Sequence, residues 1–293
     1  MKRNASVAEW RESGTMLRVG EHAIFARNGG NPNGPVLLLI HGFPTSSWDW
    51  EPVWSGLSKT HRLICFDMLG FGFSDKPSPH RYTIFEQADI AQAVLRHFSA
   101  SNFHLLAHDY GDTVAQELMA RNLDGPQACT LRSVCLLNGG LFPESHRLLR
   151  IQKLLLSSVG PLVARLSSRS SLALSMRKIF GPDTQPKAAL LDGLWELIKV
   201  NHGNRAMAQL IRYVRERREF RERWVGALQR TTLPLKLING PLDPISGAHM
   251  IERFRELVAK ANVTELPGIG HYPQIESPSG VVAAYDEFRK KLD

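Results

Sequence analysis

The sequence predicts an α/β protein: a mostly parallel eight-stranded sheet flanked by helices, with a helical cap inserted late in the chain. Three observations lead there. Short apolar runs alternate with longer stretches of helical periodicity over residues 1–141 and 231–293, the order that builds a parallel sheet with helices on both faces. Residues 142–230 break that alternation and carry almost no strand pattern. Apolar runs also end in loops bearing Asp and His, at the strand edge where open α/β sheets keep their chemistry. At 293 residues the chain accommodates one large domain with an insertion and an ample core.

Taken in order, strands are expected near 15–19, 22–27, 36–40, 62–66, 103–107, 132–138, 234–239 and 262–266, and helices near 50–59, 84–99, 111–122, 248–259 and 278–291. The run Val36–Ile40 ends in His41-Gly42-Phe43-Pro44, a small-residue turn. Gly70-Phe71-Gly72-Phe73-Ser74-Asp75 lacks the third glycine of a dinucleotide loop and no helix starts inside it, so it reads as a turn beside the active site. In 142–230, Leu148, Leu149, Ile151, Leu155 and Leu156 recur at helical spacing, and Pro143, Pro161, Pro182 and Pro186 divide the segment into short helices that should roof the site. The buried-type strand Leu233–Asn239 runs into Gly240-Pro241-Leu242-Asp243-Pro244, and Asn262–Leu266 leads to Gly268-Ile269-Gly270-His271-Tyr272-Pro273 before the last helix.

The chemistry is concentrated at Leu105-Leu106-Ala107-His108-Asp109-Tyr110-Gly111. An apolar strand enters a tight turn with small residues on either side and then a helix, which pushes the central side chain out above the sheet. That side chain is Asp109, where a Ser is usual. A carboxylate nucleophile suits attack at a saturated carbon, an epoxide or an alkyl halide, and leaves an ester on the enzyme. Downstream, chain order supplies an acid, Asp243, and a base, His271. Asp243 would orient the imidazole, and His271 would activate water. Each residue alone is more simply a helix cap, a turn former or a solvated side chain; the three in this order at strand ends are much less easily accidental. The backbone N–H groups of Phe43 and Tyr110 are expected to form an oxyanion hole for the Asp109 ester, and His41 is expected to be structural.

These motifs, together with Asp67-Met68-Leu69-Gly70-Phe71-Gly72-Phe73-Ser74-Asp75, resemble the α/β-hydrolase superfamily in the branch holding epoxide hydrolases and haloalkane dehalogenases. The resemblance implies a two-step hydrolase, and departures from it rank the substrates. Dehalogenases grip halide with two N–H donors, whereas Tyr110 and Phe43 occupy the matching positions here, leaving Trp195 or Trp224 of the cap to supply an indole. Epoxide hydrolases lower cap tyrosines onto the ring oxygen; the cap contains one, Tyr213, with Tyr110 a weaker candidate for a second donor. Some relatives carry the acid after the sixth strand, where this chain has Asn138, an amide that cannot stabilise imidazolium by charge. The reading is an epoxide hydrolase acting on a small apolar electrophile through Asp109, His271, Asp243 and Tyr213. Haloalkane hydrolysis, decarboxylating opening of a β-lactone and a non-catalytic lipid- or partner-binding scaffold are the alternatives.

Charge is unevenly placed. The chain carries +8, and residues 142–230 hold 17 Lys and Arg against seven Asp and Glu, so the cap is +10 and the remainder −2. The run Arg212–Arg223, with Glu216, Glu219 and Glu222 interleaved, reads as a solvated helix face. Arg147–Leu166 is basic and apolar at once, which makes weak contact with a membrane surface an expectation for the cap. No nucleic-acid motif accompanies the basic residues. His97, His104 and His108 do not form a metal set, and neither metal nor cofactor is implied when an enzyme carboxylate attacks. Lys2 and Arg3 precede no apolar run of a secretory signal, and Cys65, Cys129 and Cys135 lack metal or disulfide spacing, which together point to a cytoplasmic chain with reduced thiols. Oligomeric state is not legible.

Overall fold

The computed structural model describes residues 5–292. Its strands are β1 (Thr15–Val19), β2 (His22–Gly30), β3 (Val36–Ile40), β4 (Arg62–Phe66), β5 (Asn102–His108), β6 (Thr130–Leu137), β7 (Leu235–Asn239) and β8 (Val263–Glu265). They form one sheet in the order β1-β2-β4-β3-β5-β6-β7-β8. β1 pairs antiparallel with β2 and β2 with β4, and every pair from β4 to β8 is parallel. β2 outruns its predicted end at residue 27 because Ala26 to Gly30 pair along the whole of β4.

The inner strands are apolar on both faces, as strands covered on both sides must be. Leu38 and Ile40 pack in one core with Ile84, Val94, Val114, Leu118 and Phe254. Leu37 and Leu39, pointing the other way, pack with Val53, Leu57, Val281 and Tyr285. Helices Ile84–His97, Tyr110–Asp124 and Ala248–Leu257 therefore cover one face, and Glu51–Leu57 and Pro278–Lys290 the other. The alternation of side chains along a strand sorts them. β3 lies between β4 and β5, so the chain leaves β3 toward one side and returns for β5 on the other. Such a switch point opens a crevice outside the carboxyl ends of the two strands. His41-Gly42-Phe43 follows β3 there, and Asp109 follows β5.

Between β6 and β7 the described chain is helical: Arg150–Leu155, Gly160–Arg165, Arg169–Ile179, Ala188–Lys199, Met207–Leu210, Tyr213–Glu219 and Arg221–Arg230. Pro182 and Pro186 separate two of these helices, but Pro161 opens one, at the first turn where its missing N–H costs nothing. A helix at Val7–Glu12 has no counterpart in the sequence reading. Ser6 and Glu9 cap it reciprocally and Trp10 is buried beneath it. All three cysteines are buried and free. Among the described residues no helix is long and apolar enough to cross a membrane. Lys2 and Arg3 lie outside the described residues.

Candidate active site

Asp109 sits between β5 and its helix with φ 49° and ψ −102°, a conformation that a residue with a Cβ adopts only when its surroundings force it. The surroundings are tight. A Cβ on Gly111 would lie 2.4 Å from the Ile40 carbonyl oxygen, and one on Gly42 would lie 2.7 Å from His108 Nδ1. The elbow can thus press against the turn after β3 only because both positions are glycine. The Asp109 N–H donates to Leu137 O at 3.2 Å, tying the turn to the end of β6.

The two carboxylate oxygens of Asp109 have different partners. The Phe43 amide donates to Oδ2 at 3.1 Å. The Tyr213 hydroxyl donates to Oδ1 at 3.3 Å, so the helix Tyr213–Glu219 does bring this phenol to the elbow. Tyr110 opens the helix behind Asp109; its hydroxyl is buried with no hydrogen-bond partner among the described residues, and its ring packs 4.4 Å from that of Tyr213. Tyr110 therefore does not offer Asp109 a second hydroxyl.

Asp243 and His271 meet in the loops after β7 and β8. His271 Nδ1 lies 2.7 Å from Asp243 Oδ2, and that oxygen also accepts from the Ser246 hydroxyl at 2.7 Å and from Asn138 Nδ2 at 3.0 Å. The Ile245 amide donates to Oδ1 at 2.8 Å. Asn138 also bonds both the amide and the carbonyl of Gly240, so the residue after β6 holds the Asp243 loop and leaves the charge to Asp243. His41 is structural, as expected: its Nε2 accepts from the Met68 amide at 3.1 Å, which leaves Nδ1–H to donate to the Gly42 carbonyl. The 67–75 turn wraps the Asp67 carboxylate and places Phe71 against His41 and Tyr110.

Electrostatics separate the buried acids. Burial opposes the charge on Asp109, but His271 and Arg217 outweigh it and hold the carboxyl below its ordinary value. Burial also opposes charge on Asp243, which His271 and its hydrogen bonds bring down to about 2. Asp112, one turn further along, is pushed well above the carboxylate range by burial and by the charge of Asp109. The elbow thus carries one anion and one neutral acid, a separation of roles by environment. Burial lowers His271, yet Asp243 and Asp109 together raise it to about 9. Burial and the nearby anion raise the Tyr213 phenol, which keeps its proton.

Arg217 is the residue the sequence reading missed. The run Arg212–Arg223 is not wholly a solvated face: Arg217 is 2% exposed and Glu216 is 8% exposed. Arg217 Nη2 donates to the Asp109 carbonyl oxygen at 2.9 Å and lies 3.7 Å from Oδ1, and Nε donates to Thr113 Oγ1 at 2.7 Å. Its guanidinium stacks 4.4 Å over the Tyr213 ring. Glu216 accepts from the Ile84 amide at 2.9 Å. The available signal was spacing, since Arg217 follows Tyr213 by one helical turn. The guanidinium also presses against Gly140, where a Cβ would lie 2.2 Å from Nη1.

A cavity of about 320 Å³ opens between the helical segment and the strand ends, with Phe43 and His271 in its wall beside Leu155, Leu172, Met176 and Trp195. Trp224 takes no part, because its indole N–H donates to Glu117 at 2.9 Å.

A family described as alpha/beta hydrolase fold matches residues 35–278. The mesoderm-specific transcript homolog protein of Homo sapiens is 43% identical over 291 residues, covering 95% of this chain and 86% of that protein. Among solved structures, the epoxide hydrolase CorEH without ligand aligns with a TM-score of 0.79 at 17% identity, over 96% of this chain and 99% of its own. A haloalkane dehalogenase, the DbeA-M1 loop variant from Bradyrhizobium elkanii, aligns with a TM-score of 0.78 at 19% identity, over 96% and 98%. At such identities the two structures speak for the fold.

Proposed function

For this chain, which belongs to the α/β hydrolase fold family, we propose hydrolysis of a small apolar epoxide to a diol through an ester on Asp109. The helical segment 142–230 serves as a cap over the reaction. The observation that carries the reading is the pair of contacts on Asp109: Phe43 N–H on Oδ2, and the Tyr213 hydroxyl on Oδ1. An epoxide bound between Oδ1 and the phenol would meet a nucleophile on carbon and a proton donor on oxygen.

In the first step Oδ1 attacks a ring carbon, the C–O bond breaks and Tyr213 gives its proton to the departing oxygen. Esterification removes the smaller of the two charges that raise His271, leaving Asp243 in place, so the imidazolium becomes more acidic and its proton restores the phenol. The neutral imidazole, oriented by Asp243, then takes a proton from water as that water attacks the ester carbonyl. The Phe43 and Tyr110 amides receive the oxyanion. Collapse releases the alkoxide, which keeps the remaining proton and leaves as diol, returning Asp109 as carboxylate and His271 as imidazolium. Arg217 holds the elbow from behind and favours the ionised nucleophile.

Carbon–halogen hydrolysis is the second reading, favoured by Trp195 in the cavity wall. It lacks a second tryptophan donor, because Trp224 is committed to Glu117. Product analysis separates the readings: diol from an epoxide panel, halide from bromoalkanes and acid from a chromogenic ester, at matched enzyme concentration. Epoxide turnover should exceed bromoalkane turnover, and both should exceed ester cleavage, because acyl transfer to Asp109 would give a mixed anhydride. Strong bromide release with no diol from any epoxide would establish the second reading instead.

A further inference from the structure

Eight large apolar side chains are exposed among the described residues, and five of them lie on one stretch of the helical segment. Leu154, Val159, Leu162, Leu166 and Leu174 are 47%, 50%, 59%, 73% and 58% exposed. They sit on, or directly beside, the consecutive helices Arg150–Leu155, Gly160–Arg165 and Arg169–Ile179. Leu166 also lines the cavity, as do Val163 and Ser171 from the same helices, so the exposed patch is continuous with the cavity mouth. Soluble surfaces scatter such residues singly; a cluster around a pocket entrance marks a contact.

The charges of this stretch are as one-sided as its apolar content. Residues 145–182 contain seven Lys and Arg and no Asp or Glu. Among the described residues only Arg169 of the seven joins an ion pair, with Asp192 at 2.6 Å. Apolar side chains intermixed with uncompensated basic ones match an anionic lipid surface, where leucines enter the headgroup boundary and the cations meet lipid phosphates. The same charge opposes a second copy of the chain on this face, because two +10 segments would repel.

We propose that this face docks on an anionic lipid bilayer and turns the cavity mouth toward the membrane, so that an apolar substrate enters from the lipid phase. The test is flotation of the full chain with vesicles of phosphatidylcholine alone and with added phosphatidylglycerol. Binding should appear with the anionic vesicles, weaken as salt rises and be slight with neutral ones. The double variant K153E/R165E should reduce partitioning on the order of 30-fold or more, since each basic residue at the surface contributes appreciably to the attraction. The variant V159D/L162D should lose binding with an unchanged Tm, because both side chains are exposed. No flotation with anionic vesicles, binding unaffected by either variant, or a dimer in sedimentation equilibrium that V159D/L162D dissolves would each overturn the proposal.

Discussion

The site has two halves, built in different ways. Asp243 is held by the Ile245 and Ser246 amides, the Ser246 hydroxyl, Asn138 and His271. Most of these bonds come from its own loop or from the neighbouring strand end, so local structure fixes the Asp243–His271 pair. Tyr213, by contrast, meets Asp109 through one contact of 3.3 Å. Its helix is positioned by side chains that reach more than a hundred residues back along the chain, Arg217 to Thr113 and Glu216 to Ile84. In the proposed reaction the loop-held half would serve the step every substrate shares, hydrolysis of the ester. The helix-borne half is where electrophile preference can change without undoing that step. A site divided in this way should respond differently to substitutions on its two sides.

The largest effect is expected at Asp109. Asp109→Ala should abolish turnover, a loss on the order of 10⁶-fold, with far-ultraviolet circular dichroism unchanged. Asp243→Asn comes next, on the order of 10⁴-fold in kcat, because an amide no longer stabilises imidazolium. Asn138→Ala should cost far less in rate, and the reverse ranking would mean that the acid has been placed wrongly. Tyr213→Phe then probes the other half: epoxide opening should fall by about 10²- to 10⁴-fold, while any halide release changes little. Equal losses for both substrates would dissolve the division.

Smaller effects concern proton affinities. Arg217→Met should move the acid limb of kcat/KM to higher pH, because the guanidinium helps to keep Asp109 ionised. An unmoved limb would reduce Arg217 to packing. Burial lowers His41 to about 3, His108 to about 4 and His146 to about 3. These groups are neutral in the fold, so their contribution is fully present above the unfolded value near 6.5 and is lost progressively as pH falls from there to their folded values of about 4 and 3. His271 has the opposite sign. Raised to about 9, it contributes fully below pH 6.5 and loses that contribution as pH rises through 9, on the order of 3 kcal/mol. Urea unfolding from pH 4 to pH 10 should show both slopes, and His271→Gln should lack the alkaline one.

The same division explains what could be read in advance. Parallel strands announce themselves by unbroken apolar runs, and Asp109, His41-Gly42-Phe43 and His271 stand in turns whose tightness demands small neighbours. Those features are local, so residue order sufficed to anticipate their positions. The roles of Glu216 and Arg217 are not local: a run of alternating charges looks solvated until the helix is packed, and only tertiary placement turns one guanidinium toward Asp109. Trp224 shows the converse, an apparent indole donor that packing commits to Glu117. The six-residue helix Val7–Glu12 is too short to read from periodicity, and its Ser6–Glu9 capping box gains weight only once Trp10 is buried beneath it.

The central claim, that hydrolysis passes through an ester on Asp109, is tested most directly by intact-protein mass spectrometry of His271→Gln mixed with an epoxide. With the base gone but the nucleophile present, the first step should proceed and the second stall. A mass increase equal to one epoxide is predicted, located by peptide mapping to Asp109 and absent from Asp109→Ala. No adduct on His271→Gln under conditions in which the unsubstituted enzyme forms diol in a burst would contradict the two-step account.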